Sequence, residues 1–172
     1  MEKNKLNDSM IAVMIEEEAW KELSSNYPWT EEQLSKYSNK LDWKEISCNS
    51  NIKWTVSMLE KFGRYIDWSQ FSRCADEEIL IPEIVEKFEN EWDWQELSDN
   101  PNLTLELVTK YADRLDWKEF LSSFYCHKEL FSPDFLEMFI DYIPADEFKD
   151  SGLWYALVES KEKELKKQII LA

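Results

Sequence analysis

Glycine is nearly missing from this chain, with two residues in 172. A phosphate-cradling loop needs several glycines, so that class of nucleotide site is excluded. Scarce glycine also argues against a turn-rich β-sandwich. Histidine occurs once, at His127, and the three cysteines, Cys48, Cys74 and Cys126, have no zinc-type spacing. An odd cysteine count without a paired motif points to free buried thiols and a cytoplasmic, reducing location. Bases are scarce too: 20 Lys and Arg stand against 36 Asp and Glu, a net charge of −16. Nucleic acid and anionic membranes reward Lys and Arg, so neither is expected as a direct partner. Met1–Asp8 is polar and has no secretory pattern. The apolar run Met10–Ile15 falls far short of the roughly 20 residues that span a bilayer. The carboxylate runs Glu16-Glu17-Glu18 and Asp76-Glu77-Glu78 lack calcium-loop spacing and read as solvated faces. No metal and no cofactor is expected.

Aromatic side chains are abundant, with nine Trp, nine Phe and seven Tyr. Many of them recur at a fixed interval. Asp42-Trp43-Lys44-Glu45, Asp67-Trp68-Ser69-Gln70, Asp93-Trp94-Gln95-Glu96 and Asp116-Trp117-Lys118-Glu119 are copies of one tetrad, and Ala19-Trp20-Lys21-Glu22 lacks only its Asp. Successive Trp residues lie 23, 25, 26 and 23 positions apart. An apolar residue follows each Trp at the third position (Leu23, Ile46, Phe71, Leu97, Phe120), and a Ser follows at the fourth in four of the five copies. A second segment also recurs: Thr104 leads to Leu107, Val108, Tyr111 and Leu115, and Thr30, Thr55 and Ser132 open equivalent stretches.

The tetrad has capping-box logic: Asp accepts from first-turn N–H groups, and Glu or Gln three residues on can reach back to the cap. Helices are therefore expected to start near Asp42, Asp67, Asp93 and Asp116. Polar connectors such as Ser98-Asp99-Asn100-Pro101-Asn102 follow, and Thr or Ser then caps a longer second helix with an i, i+1, i+4, i+8 apolar stripe. Each unit of about 25 residues is thus a two-helix hairpin that must stack on its neighbours to bury its apolar face. The expected fold is all-α: a short α-solenoid of about five two-helix repeats with capping helices, forming one domain over residues 1–172. Within it, 1–18 is the N-terminal cap, 19–143 the repeats and 144–172 the C-terminal cap. Trp43, Trp68, Trp94 and Trp117 are expected in equivalent buried sites between repeats. The closing helix, Leu153–Leu171, is expected to cover the last unit with Trp154, Leu157, Val158 and Leu165.

Asp93-Trp94-Gln95-Glu96-Leu97-Ser98-Asp99-Asn100-Pro101-Asn102-Leu103-Thr104 resembles the short tandem "DW…LS.NPN.T.E" units of uncharacterised giant-virus and Bacteroidetes proteins. The resemblance covers about residues 19–143 and implies a repeat scaffold; it assigns no catalytic residues.

One feature is not required by the repeat. Residues 76–106 hold eleven acids and a single base, Lys87, which is −10 of the chain's −16. Asp76, Glu77, Glu78, Glu83, Glu86, Glu89, Glu91 and Asp99 are candidate partner-binding residues; Asp93 and Glu96 share the segment but double as cap residues. Trp29 and Trp54 fall outside the tetrad and are candidate surface anchors. The first reading is a non-enzymatic acidic module that binds a basic protein surface. More sharply, it is an inhibitor occupying a nucleic-acid-binding surface, such as a phage inhibitor of a nucleic-acid-guided defence enzyme (an anti-CRISPR) or a toxin-immunity protein. The alternative is a structural or adaptor scaffold without an inhibitory role. The third is an enzyme using Cys126 and His127, but a Cys–His dyad needs side chains that face each other across a fold, which chain neighbours seldom do.

Overall fold

The computed structural model describes residues 8–122 and 127–171, which form twelve helices and no strand. The chain divides into two compact units, Met1–Cys74 and Ala75–Ala172. The first contains α1 (Asp8–Asn26), α2 (Glu31–Tyr37), α3 (Trp43–Ser47), α4 (Val56–Phe62) and α5 (Trp68–Cys74). The second opens with α6 (Pro82–Lys87), α7 (Trp94–Ser98), α8 (Leu105–Lys110) and α9 (Trp117–Ser122). It continues with α10 (Pro133–Phe139), α11 (Ala145–Phe148) and α12 (Gly152–Leu171). This is the all-α, paired-helix pattern of an α-solenoid. The tetrad helices pack on one another, α3 against α1 and α5, and α9 against α7, α11 and α12.

The helices begin where the sequence placed them. Asp42 Oδ1 accepts from the Lys44 and Glu45 N–H groups, Asp93 Oδ1 from Gln95 and Glu96, and Asp116 Oδ1 from Lys118 and Glu119. Asp67 Oδ1 accepts from the Gln70 N–H. Thr30, Thr55, Thr104 and Ser132 cap the second helices, and Thr30 with Gln33 completes a capping box. The third repeat departs from the pattern: α6 has Ile81 at its cap without a side-chain bond and Pro82 at its first turn.

At Asp42, Asp67 and Asp116 the N–H that the capping box would reach back to is already taken. Ser24 Oγ donates to the Trp20 carbonyl at 2.7 Å and accepts the Asp42 N–H at 3.0 Å. Ser47 links Trp43 to the Asp67 N–H, and Ser98 links Trp94 to the Asp116 N–H, in the same way. Each of these three buried serines therefore ties one repeat to the cap of the next. Glu45 is released from capping and instead pairs with Lys21 of the preceding repeat.

Asparagines, of which Asn49 and Asn100 are buried, form a second line of cross-repeat bonds. Asn49 Nδ2 donates to the carbonyls of Ser24 and Tyr27, and Asn51 Nδ2 to that of Asn26. In the second unit Asn100 and Asn102 both donate to the Ala75 carbonyl. Asn49 Oδ1 and Asn100 Oδ1 also accept the N–H two residues on, which shapes each connector as an Asx turn.

The tryptophans correct the expectation. Of the tetrad residues only Trp117 is buried, while Trp20, Trp43, Trp68 and Trp94 are half-buried. At four of the five positions a connector side chain lies against the ring. Lys40 lies over Trp20, Tyr65 stacks on Trp43, Arg114 lies over Trp94 and Tyr142 stacks on Trp117. The indole N–H of Trp43, Trp68 and Trp117 donates to the carbonyl five residues back.

Trp29 and Trp54 are core residues, 6% and 9% exposed, and not surface anchors. Each stands just before a Thr cap, the position where an apolar residue packs back on its helix. Leu103 and Phe131 hold the same place and are buried as well. Trp29 Nε1 donates to the Leu23 carbonyl, and Trp54 meets Phe71 edge-on.

The cysteines differ from expectation in the same way. Cys48 and Cys74 form a disulfide, with Cα atoms 5.2 Å apart, and neither is fully buried. They end the successive helix segments α3 and α5, whose packing brings them together. Cys126 lies outside the described residues. A reducing compartment can no longer be argued from free thiols. Among the described residues no helix is long and apolar enough to cross a membrane.

Removing one serine bridge tests its energetic role. Ser98→Ala should cost roughly 1–3 kcal/mol in urea unfolding, because the part-buried Asp116 N–H and the Trp94 carbonyl both lose their partner. The exposed Ser122→Ala should change stability by less than about 0.5 kcal/mol.

Candidate functional site

The acidic segment 76–106 is assembled around α6 and α7, and the structure sorts its carboxylates into two groups. The first group is engaged. Asp76 Oδ1 accepts from the Glu78 and Ile79 N–H groups and shapes the turn before α6. Asp93 caps α7, and Asp99 closes it as the C-cap residue. Glu86 pairs with Lys110 at 2.7 Å, and Glu89 pairs with Arg114, whose guanidinium also covers Trp94. The Lys110 ammonium, through its hydrogen bond first and its charge second, holds the Glu86 carboxyl below the ordinary glutamate range. These two pairs couple the third repeat to the fourth, so Glu86 and Glu89 are partly neutralised by the protein itself.

The second group consists of Glu77, Glu78, Glu83, Glu91 and Glu106, which are exposed and have no ion-pair partner among the described residues; Glu96 is half-buried. Glu77, Glu78 and Glu83 lie at the N-terminal side of α6, and Glu91 lies beyond its C-terminal end. A six-residue helix is about 9 Å long, so like charges flank a short rod with little to offset them. Only Glu83 gains from the positive end of the α6 dipole.

Comparison with protein-family models, with curated proteins and with solved structures finds no match. The reading of this surface rests on its own chemistry.

Other parts of the chain offer little reactive chemistry. No group of three or more His, Cys, Asp or Glu among the described residues is placed to hold a metal ion. The Cys126–His127 pairing has one partner, Cys126, outside the described residues. His127 is 1% exposed and stacks on Phe120 with ring centroids 4.1 Å apart. Its Nε2 lies 2.9 Å from the Ser98 carbonyl, while Nδ1 has no partner. An acceptor carbonyl at Nε2 assigns the proton there, which leaves Nδ1 a bare, dry acceptor. His127 therefore takes the role that Asn49 plays against Ser24 in the first unit, as a structural cross-repeat donor.

That placement has a pH signature. Burial pushes the His127 imidazole below its ordinary value of 6.5, opposed by the Ser98 carbonyl and by Asp99. The folded state thus favours neutral histidine, and its stabilising effect is complete above 6.5 and lost as pH falls below that value. One such proton changes stability by at most about 1.4 kcal/mol per pH unit. Thermal melts of the wild type between pH 6.5 and 5.5 should show a fall that His127→Gln lacks, since glutamine keeps an amide N–H for Ser98 without titrating.

Proposed function

We propose that the chain is a non-enzymatic binding module whose acidic face, centred on α6, docks a basic surface of a partner protein. The observation that carries this reading is the set of five exposed carboxylates, Glu77, Glu78, Glu83, Glu91 and Glu106, left without ion-pair partners among the described residues in a segment where five other acids are capped or paired. Neither helix capping nor core packing requires them, and they repel one another. Opposite charge across an interface chiefly raises association rate and selects partners. A surface of this kind suits an inhibitor that occupies a basic, nucleic-acid-binding channel, as a phage-borne inhibitor of a nucleic-acid-guided defence enzyme or a toxin-immunity protein would.

The first test is capture from a lysate of the source cells with stepwise salt elution. Basic proteins should leave the column as ionic strength rises, because screening acts over about 10 Å at 0.1 M. Association with the captured partner is then compared among variants. Glu77, Glu83 and Glu91 changed together to Lys should slow binding by about tenfold, with helicity and melting little changed. The matched triple Glu32, Glu137 and Asp141 to Lys makes the same net change with exposed acids outside the segment and should slow it far less. Equal effects of the two triples would reduce the site to global charge. No effect of either would favour the adaptor scaffold.

A further inference from the structure

The first and last helices each carry an exposed apolar stretch that their own repeats do not cover. The five-residue α3 and α7 each begin at their tetrad Trp, but α1 runs twelve residues ahead of Trp20. Ile11, Val13, Met14 and Ile15 on that extension are all exposed, Ile15 by 65%. The extension shapes two open recesses. One, of about 530 Å³, lies between Val13, Glu16, Glu17 and Trp20 on one side and Lys40 and Leu41 on the other. The other, of about 340 Å³, is lined by Ile11, Met14, Ile15 and Glu18. Both combine apolar and acidic side chains, and the first also has Lys21 and Lys40.

The far half of α12 departs from the cover expected of the closing helix. Trp154 and Leu157 are half-buried, and Trp154 meets Phe148 edge-on. Val158, Leu165, Ile169 and Ile170 are exposed, Ile169 by 75%. Val158, Leu165 and Ile169, spaced by seven and four, share one helical face, with Lys161 and Lys166 flanking it. Residues 160–171 hold four lysines against two glutamates, a net +2 that remains although Lys161, Lys163 and Lys166 pair with Glu164, Glu159 and Glu162 along the helix, whereas residues 8–22 hold five acids against one lysine, with Glu16 paired to Lys40. Contiguous exposed apolar surface of this kind marks an interaction site.

We propose that α1 of one copy of this chain receives α12 of a second copy, antiparallel, in a head-to-tail contact. The order of chemistry along the two helices selects this pairing. Reading N to C, α1 is apolar over 11–15 and then acidic over 16–18. In the same direction α12 is lysine-rich over 161–167 and then apolar over 169–171. Antiparallel docking sets apolar against apolar and glutamate against lysine at once. Two α12 helices would oppose lysine to lysine when parallel, or lysine to the apolar end when antiparallel. Two α1 helices fail in the same way with glutamate. The contact is heterologous, so each copy contributes a different surface and keeps its other one available. The chain's net charge of −16 opposes crowding of copies, which makes the contact weak and dependent on concentration.

The test uses full-length variants and sedimentation equilibrium over a hundredfold concentration range. The wild type should rise above monomer mass at the high end. Met14→Glu with Ile15→Glu disables the head, and Ile169→Glu with Ile170→Glu disables the tail; all four positions are exposed, and circular dichroism should confirm unchanged helicity. Each variant alone should remain monomeric. An equimolar mixture of the two should form dimers, because one supplies an intact head and the other an intact tail. A wild type that stays monomeric throughout, a variant that still associates alone, or a mixture that stays monomeric would each overturn the proposal. None of these outcomes touches the acidic face of α6, whose binding is read with a different partner.

Discussion

A serine hydroxyl that both donates and accepts is the contact on which this architecture depends. Helices of five residues have almost no internal hydrogen-bonded turns, so most of their backbone groups need outside partners. Asp Oδ1 satisfies the first turn from within the repeat. The Asp N–H is satisfied from the repeat before, by Ser24, Ser47 or Ser98. Because the serine lies at the fourth position after Trp, it also ties back the Trp carbonyl. One small buried side chain therefore sets the spacing and register of two helices, and the asparagines and His127 repeat the principle at the connectors.

This bonding governs where charge is free. With the Asp N–H taken, the Glu of the tetrad is released to the surface, where Glu45 reaches Lys21. Lys61 with Glu31, Lys110 with Glu86 and Arg114 with Glu89 likewise join neighbouring repeats. Exposed pairs of this kind contribute little stability. Their larger consequence is selection: they neutralise some acids of the 76–106 segment and leave Glu77, Glu78, Glu83, Glu91 and Glu106 bare. A count of charges along the chain treats these residues alike; the fold does not.

The ends follow from the same logic. A repeat is complete only when neighbours supply its backbone and its apolar cover. The start of α1 and the end of α12 continue as helix without such cover, and each retains the apolar residues that a neighbour would bury. Their opposite charge and opposite order of apolar and charged segments make them complementary to one another rather than to themselves.

The sequence by itself determined the helical class, the repeat and the starts of the tetrad helices. These rest on local chemistry: Asp, Thr and Ser caps act within a few residues, and the 3.6-residue period sets the apolar face. The segment richest in unpaired acids was equally legible, because charge is a property of composition. Tertiary structure decided what depends on residues far apart in the chain. Trp29 and Trp54 read as outliers because they lie outside the Asp-Trp tetrad, yet their place before a Thr cap puts them in the core, a signal available in the repeated Trp-Thr pair itself. Trp43, Trp68 and Trp94 read as core from their repetition, yet they are half-buried, and Trp43 and Trp94 lie against connector side chains, Tyr65 and Arg114. Cys48 and Cys74 stand 26 residues apart in sequence and meet only because α3 and α5 pack together. Glu86 and Glu89 lost their place among the free acids for the same reason: their cations, Lys110 and Arg114, arrive from the next repeat, and only packing brings them within reach.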